Sequence, residues 1–264
     1  GGADRTVSKG QHVTVHADEP VAGVIGQTAI HLRDGDEEYE EIDAQFVDIG
    51  VEDADAARER VEIGDPVTFS STTAELAGDR LTARGMDNRV GTWTAAEVLR
   101  RAAERDADAT VYAVATVQEE LGLKGARMVG YDLNPDAVVA VDVTHATDNP
   151  DVSGTASGPV ALGDGPVVAR GSANHPGLVS LVRGAADRAE VDYQLQATGS
   201  STGTDADAFF TSRGGTPSLN LGLPNRYMHT PVEVIDTTDL VAAADLLAAA
   251  VVDAPDAAPF EATL

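Results

Sequence analysis

The sequence predicts an α/β fold in which a mainly parallel-stranded sheet is flanked by helices, with a small β-barrel in front of it. Residues 1–66 carry short alternating apolar segments punctuated by Gly and Pro, which is typical of a small barrel or sandwich. From Val67 onward helical patterns alternate with compact apolar runs, as in a parallel sheet covered by helices. We therefore expect a barrel domain over residues 1–66 and an α/β domain over residues 67–264.

The first region contains two segments with strand character, His12 to His16 and Val21 to Ile25. Their alternating apolar residues favour half-buried strands. Only Asp53 to Val61, with an acidic start, has the pattern of a helix there.

The second region alternates the two kinds of element. Helical patterns cover Asn88–Glu104, Pro176–Ala189, Thr204–Ser212 and Thr237–Val252. Apolar runs cover Thr110–Val117, Ala137–Val143, Val191–Ala197 and Thr216–Leu221. Each run is rich in β-branched residues and is short enough to be a strand. Ligands of open α/β sheets bind beyond the carboxyl ends of the strands, so the residues that follow these runs are the first candidates for a site.

The composition excludes several classes of function. A formal net charge of −26 would repel nucleic-acid phosphates. Cysteine is absent, so a metal would bind to His, Asp or Glu. The apolar stretch Leu240 to Val252 is interrupted by Asp245 and predicts a packed helix rather than a membrane span. With no visible signal peptide, we expect a cytoplasmic protein.

The basic residues are unusual, since Lys9 and Lys124 are the only lysines among 18 basic residues. An acidic, lysine-poor surface is typical of proteins from salt-loving archaea, in which concentrated salt screens the self-repulsion of the chain. An acidic protein from an ordinary habitat is the alternative.

Acidic groups and one histidine follow the apolar runs. Glu119 and Glu120 end the first run, Asp142 ends the second, and His229 follows the last, while Asp87 lies near the start of a helix. Carboxylates gathered at one sheet edge repel each other unless a cation lies between them. A pair of divalent ions would relieve this repulsion. It needs one carboxylate that bridges the ions, terminal carboxylate and imidazole ligands, and a further carboxylate that activates water.

Five stretches in this order resemble the motifs of the archaeal tetrahedral aminopeptidases, which belong to the glutamyl aminopeptidase family, metallopeptidase family forty-two. They are MDNRVG, VQEELGLKGA, VAVDVTHATDNP, GTDADAF and GTPSLNLGLPNRYMHTPVE. The resemblance implies a zinc-exopeptidase-like fold, two divalent ions, with zinc or cobalt expected, and removal of N-terminal residues from short peptides. It also implies homo-oligomers in which barrel-mediated dimers build a twelve-subunit shell.

The same resemblance assigns roles to the clustered residues. Asp87 would bridge the two ions, Glu119 would be the general base, Glu120 and His229 would bind one ion, and Asp142 would bind the other. Gly203, Thr204 and Asp205 resemble the substrate-side loop of the family. An ordinary helix cap is the alternative for that loop.

The chain departs from the family in one respect. In the family a His-x-Asp motif before the barrel supplies the first ligand, and no such motif precedes the predicted barrel strands in this sequence. We therefore expect a truncated chain in which the ion at Asp142 is held weakly and an apolar flank is exposed. His145 is a further histidine that could approach the ions.

Two other functions stay open at this point. Paired carboxylates also catalyse glycoside hydrolysis, and relatives of this kind have been labelled endoglucanases. A truncated subunit that contributes only assembly contacts is the non-catalytic alternative. Activity on an aminoacyl substrate, measured with and without added metal, separates the aminopeptidase from the glycoside hydrolase and from the assembly subunit.

Overall fold

The computed structural model describes residues 4–33, 40–152 and 156–260. The α-helices are α1 Ala54–Arg58, α2 Met86–Glu104, α3 Lys124–Leu133, α4 Pro176–Ala189, α5 Ala206–Phe210 and α6 Thr237–Ala257. The strands are β1 His12–Val15, β2 Val21–Ile25, β3 Val47–Asp48, β4 Val67–Phe69, β5 Ala74–Glu75, β6 Arg80–Ala83, β7 Val138–His145, β8 Val167–Gly171, β9 Gln194–Thr198, β10 Ser218–Asn225 and β11 Glu233–Asp236. Short 3-10 helices cover Ile30–Leu32 and Ile42–Ala44.

The N-terminal region is an antiparallel sheet with strand order β3-β2-β1-β4. Within the described residues β3 and β4 form its two edges and do not pair, so the predicted closed barrel is not confirmed. The edge strand β3 is only two residues long, which leaves little backbone for closure. The sheet also includes β4, which begins at Val67, one residue beyond the predicted boundary.

The central sheet has the order β7-β10-β8-β9. Pairing is parallel between β7 and β10 and between β8 and β9, but antiparallel between β10 and β8. The sheet is therefore mixed, with two parallel pairings and one antiparallel pairing. All eight residues of β10 are buried, since this strand has neighbours on both edges and helices on its faces.

The core lies between this sheet and three helices, because α2 and α4 both pack on α6. Small residues on α6 permit the close approach: Ala243, Ala244 and Ala248 have no exposed surface. Helix α4 has the predicted bounds, α5 is shorter than predicted and α6 is longer. No helix in the described ranges is long and apolar enough to cross a membrane.

The run Thr110–Val117, which the sequence predicts to be a strand, is not one. The only described strand that pairs with β7 is β10, and the other edge of β7 faces a cavity that residues 110–116 also line. Among the described residues the run pairs with no strand, although the carbonyl of Val117 accepts from the N–H of Gly125 at 3.0 Å. Its apolar side chains are left exposed, with Tyr112 at 61% and Val117 at 68%.

A third sheet has the order β11-β6-β5 and is antiparallel. In this sheet Glu233 is paired with Ala83. The pairing brings the segment that follows His229 alongside the segment that leads into α2.

Candidate metal centre

Three of the predicted ligands meet at one point. The Nε2 atom of His229 lies 3.0 Å from Oδ2 of Asp87 and 3.2 Å from Oε1 of Glu120. One ligand atom from each residue lies within 4.8 Å of the other two. We call these residues the histidine side of the site.

Asp87 is placed by an irregular start to α2. Gly85 precedes it with φ of 64°, a left-handed conformation that glycine adopts without steric cost. Asn88 then donates from Nδ2 to the carbonyl of Val141 at 2.7 Å and accepts from the N–H of Gly91 at 2.9 Å. A side chain at position 91 would collide with both groups, so the contact between α2 and β7 needs glycine there.

Glu119 and Glu120 lie in a turn after the unpaired run. The carbonyl of Glu119 accepts from the N–H groups of Gly122 and Leu123 at 3.0 and 2.9 Å. The two neighbouring carboxylates are placed differently: Glu120 belongs to the histidine side and lines both cavities described below, whereas Glu119 lines only the larger of the two.

Asp142 is buried on β7, and its Oδ1 accepts from the N–H of Val143 at 2.8 Å. It lies outside the group formed by the histidine side. With Glu119 and Asp205 it lines the large cavity, and we call these three residues the cavity side. His145, at the exposed end of β7, is likewise outside the group.

Three carboxylates of the site, Asp87, Glu119 and Asp142, have raised pKa values, whereas the pKa of Glu120 is lowered. Burial, followed by the charge of Glu120, raises the pKa of Asp87 to about 6. Burial and then the charge of Glu120 raise the pKa of Glu119 to about 7. Burial raises the pKa of Asp142 to about 8, with further contributions from Asp87 and Glu119. Such shifts are expected where anions share a site without a cation.

Two cavities open onto the site. The larger has a volume of about 1430 Å³ and extends between residues 110–116, β7 and the apolar faces of α4 and α6. The smaller, of about 290 Å³, lies between the histidine side and β4. The large cavity is partly apolar, because Leu and Val side chains of α4 and α6 line it.

The predicted substrate loop borders the large cavity through one residue only. Asp205 lines it and accepts from the hydroxyl of Thr116 at 2.5 Å. Gly203 donates its N–H to Asp207 at 3.1 Å, and the hydroxyl of Thr204 accepts from Ala206 at 3.3 Å. Gly203 and Thr204 therefore make hydrogen bonds to residues at the start of α5.

Sequence reasoning assigns no role to two residues of the site. Asn88 fixes the segment that contains Asp87, as described above. Glu233 is 2% exposed, and its carboxylate accepts from the backbone N–H groups of Asp87 and His229. Both lie inside motifs quoted above, but nothing in the linear pattern indicates which backbone groups they contact.

The chain is similar to proteins of one family along most of its length. A family model described as M42 glutamyl aminopeptidase matches residues 1–246. The chain is 33% identical over 224 residues to the lysyl aminopeptidase of Pyrococcus furiosus, and the match covers 83% of this chain and 63% of that protein.

Solved structures give the same result. An aminopeptidase from the archaeon Desulfurococcus kamchatkensis matches with a TM-score of 0.88 and 31% identity, covering 100% of this chain and 75% of its own. The TET1 peptidase of Pyrococcus horikoshii, described as able to assemble into a tetrahedron or a large octahedral shell, matches with a TM-score of 0.82 and 30% identity over 94% of this chain and 74% of its own.

Proposed function

The chain belongs to the M42 glutamyl aminopeptidase family, a family of hydrolases, and on that basis we propose that it removes N-terminal residues from short peptides with the help of divalent metal ions. The observation that carries the proposal is the meeting of two carboxylates and an imidazole, Asp87, Glu120 and His229, beside a further carboxylate that faces a cavity.

The residues of the histidine side fit a divalent ion. They offer two carboxylates and one imidazole, a donor set that suits zinc, cobalt or manganese and leaves room for water or substrate. Their ligand atoms are already within 4.8 Å of one another, so little rearrangement is needed. A bound ion would supply Lewis acidity toward the scissile carbonyl and would favour ionisation of water.

Glu119 is the proposed general base. Glu119 is near enough to Glu120 and Asp87 for their charges, after burial, to raise its pKa, so its carboxylate is placed where it can accept a proton from the attacking water and return it to the leaving amine. Its carboxylate faces the cavity in which we place the substrate.

A second ion is proposed between Asp87 and Asp142, with weaker binding than the first. In the described residues no imidazole joins these two carboxylates, and two oxygen ligands alone hold a borderline ion such as zinc poorly. Asp205 borders the same space, so we keep it, with Gly203 and Thr204, as the proposed substrate-side loop.

We further propose a homo-oligomer, since a solved relative assembles into shells, with the N-terminal sheet as the contact region of a barrel-like assembly domain. Light scattering in molar salt that gave only a monomer would contradict this. The cytoplasmic location and the salt-adapted origin also stay predictions.

The activity is tested on aminoacyl p-nitroanilides after chelation and after return of zinc or cobalt. We expect hydrolysis only with metal, and none from a His229→Ala variant. A soluble cellulose assayed in parallel tests the glycoside hydrolase alternative, which would release sugar without added metal. A protein that binds metal but cleaves no aminoacyl substrate would instead support the assembly-subunit alternative.

A further inference from the structure

Glu233 is a buried carboxylate whose two oxygens serve two different segments of the site. Its Oε2 accepts from the backbone N–H of Asp87 at 2.9 Å, and its Oε1 accepts from the backbone N–H of His229 at 3.0 Å. These two donors belong to residues that lie 142 positions apart in the chain. The side chain of Glu233 thus connects the backbones of two residues of the histidine side, Asp87 and His229.

The position of Glu233 is itself fixed by the fold. It begins β11, is 2% exposed and is paired with Ala83 of β6, directly before the loop that leads to Asp87. Its backbone therefore cannot shift without disturbing the third sheet. This ladder fixes the backbone of Glu233, and the two N–H groups fix its carboxylate. Without Glu233 both N–H groups would lose a charged acceptor.

The segments that Glu233 holds are irregular. His229 has φ of 64°, a left-handed conformation that is unfavourable for a residue with a side chain. Asp87 lies where the first turn of α2 departs from helical geometry. Neither residue is therefore positioned by regular hydrogen bonding of its own element, so an external acceptor is needed to fix both.

We infer that Glu233 is a positioning residue that sets the separation of Asp87 and His229 before a divalent ion binds. This inference rests on the proposed function, because it assigns Glu233 to the same metal site. Glu233 need not contact the ion, since it acts through the backbones of two ligands. Groups that orient metal ligands typically change affinity by roughly 10–100-fold when they are removed.

The chain offers a matched control for the loss of a buried carboxylate. Asp239 is 1% exposed and also accepts two backbone N–H groups, those of Gly163 and Gly165, at 2.9 and 2.8 Å. Its contacts hold a loop rather than a predicted metal ligand. Asp239→Asn therefore removes the same kind of interaction as Glu233→Gln, but away from the metal site.

The test measures zinc affinity of the full chain by competition with a chromogenic chelator. We expect Glu233→Gln to weaken binding by roughly 10–100-fold and Asp239→Asn to change it by less than about twofold, while both variants lower the melting temperature. We also expect a changed visible absorption spectrum of bound cobalt in Glu233→Gln only. Wild-type zinc affinity and an unchanged cobalt spectrum in Glu233→Gln would overturn this inference and leave the proposed function intact.

A second variant keeps the inference testable if Glu233→Gln folds poorly. Glu233→Asp keeps the charge but is one methylene shorter, so it cannot reach both N–H groups, and we expect weakened zinc binding again. Full wild-type affinity in that variant would overturn positioning in favour of a purely electrostatic effect. If the wild-type chain itself binds no zinc, the proposed function fails, which distinguishes that outcome from failure of the inference.

Discussion

The two sides of the site differ in how completely the described residues assemble them. On the histidine side, Asp87, Glu120 and His229 come within 4.8 Å of each other. On the cavity side, Asp142 is buried on an edge strand and faces an open volume of about 1430 Å³ together with Glu119. A metal site needs several donors close together, and the described residues bring three within 4.8 Å of one another on the histidine side. This difference supports the proposal that one ion is held more tightly than the other.

The largest expected effect separates the neighbouring glutamates. Glu119→Gln should lower turnover by roughly 10²–10⁴-fold, the usual loss for a general base, while zinc binding stays near the wild-type level because Glu119 lies on the cavity side. Steady-state kinetics and chelator competition on the same preparations measure the two effects.

Glu120→Gln is the matched control for that comparison. It should lose metal affinity and, with it, activity at low zinc concentration, because Glu120 belongs to the histidine side. Equal loss of zinc in both variants would show that the two glutamates are not divided between the sides.

The next effect compares one residue from each side. His229→Ala should weaken the first equivalent of zinc by roughly 10²–10³-fold, since it removes one of three ligands that share the binding free energy. Asp142→Asn should change that first equivalent by no more than about threefold. Titration calorimetry measures both, and a larger effect from Asp142→Asn would reverse the order of the two sites.

Elements of the fold that depend on neighbouring residues in the sequence could be predicted, whereas contacts between distant segments could not. The apolar runs and helical periods predict the α/β class and most elements, including both ends of α4, because strand and helix patterns are local. The proposed roles of Glu119 and Glu120 rest on the motif that follows Thr110–Val117. They do not depend on whether that run is a strand. The composition of that run favours a strand, but strand formation also requires a partner backbone.

The contacts of Glu233 and Asn88 could not be predicted, because each joins segments distant in sequence. Glu233 meets the N–H of Asp87 across 146 positions, and Asn88 meets the carbonyl of Val141 across 53. The separation of Asp142 from the histidine side is likewise a matter of tertiary packing. The linear order of the motifs places all five residues at one site but does not indicate which of them form a group.

The smallest expected effect is a pH dependence of stability. The raised pKa values of Asp87, Glu119 and Asp142, about 6, 7 and 8, mean that the metal-free folded chain retains protons which the unfolded chain releases near pH 4. Its free energy of unfolding should therefore fall, by the order of a few kcal/mol, as the pH rises from about 4 to 8.

Denaturant unfolding at a series of pH values measures this dependence. Asp142→Asn should remove the part of the decline that extends toward pH 8, because Asp142 has the highest raised pKa of the three. Saturating zinc should flatten the decline further by favouring the ionised carboxylates. A stability that rises with pH over this range would contradict the assigned shifts.

The most direct test of the central claim is a crystal structure of the zinc-loaded chain, with anomalous data collected at the zinc absorption edge. We expect one strong peak within bonding distance of Asp87, Glu120 and His229, and a weak peak or none beside Asp142. Two equally strong peaks with His145 or another residue completing the second site, or no peak at the histidine side, would contradict this expectation.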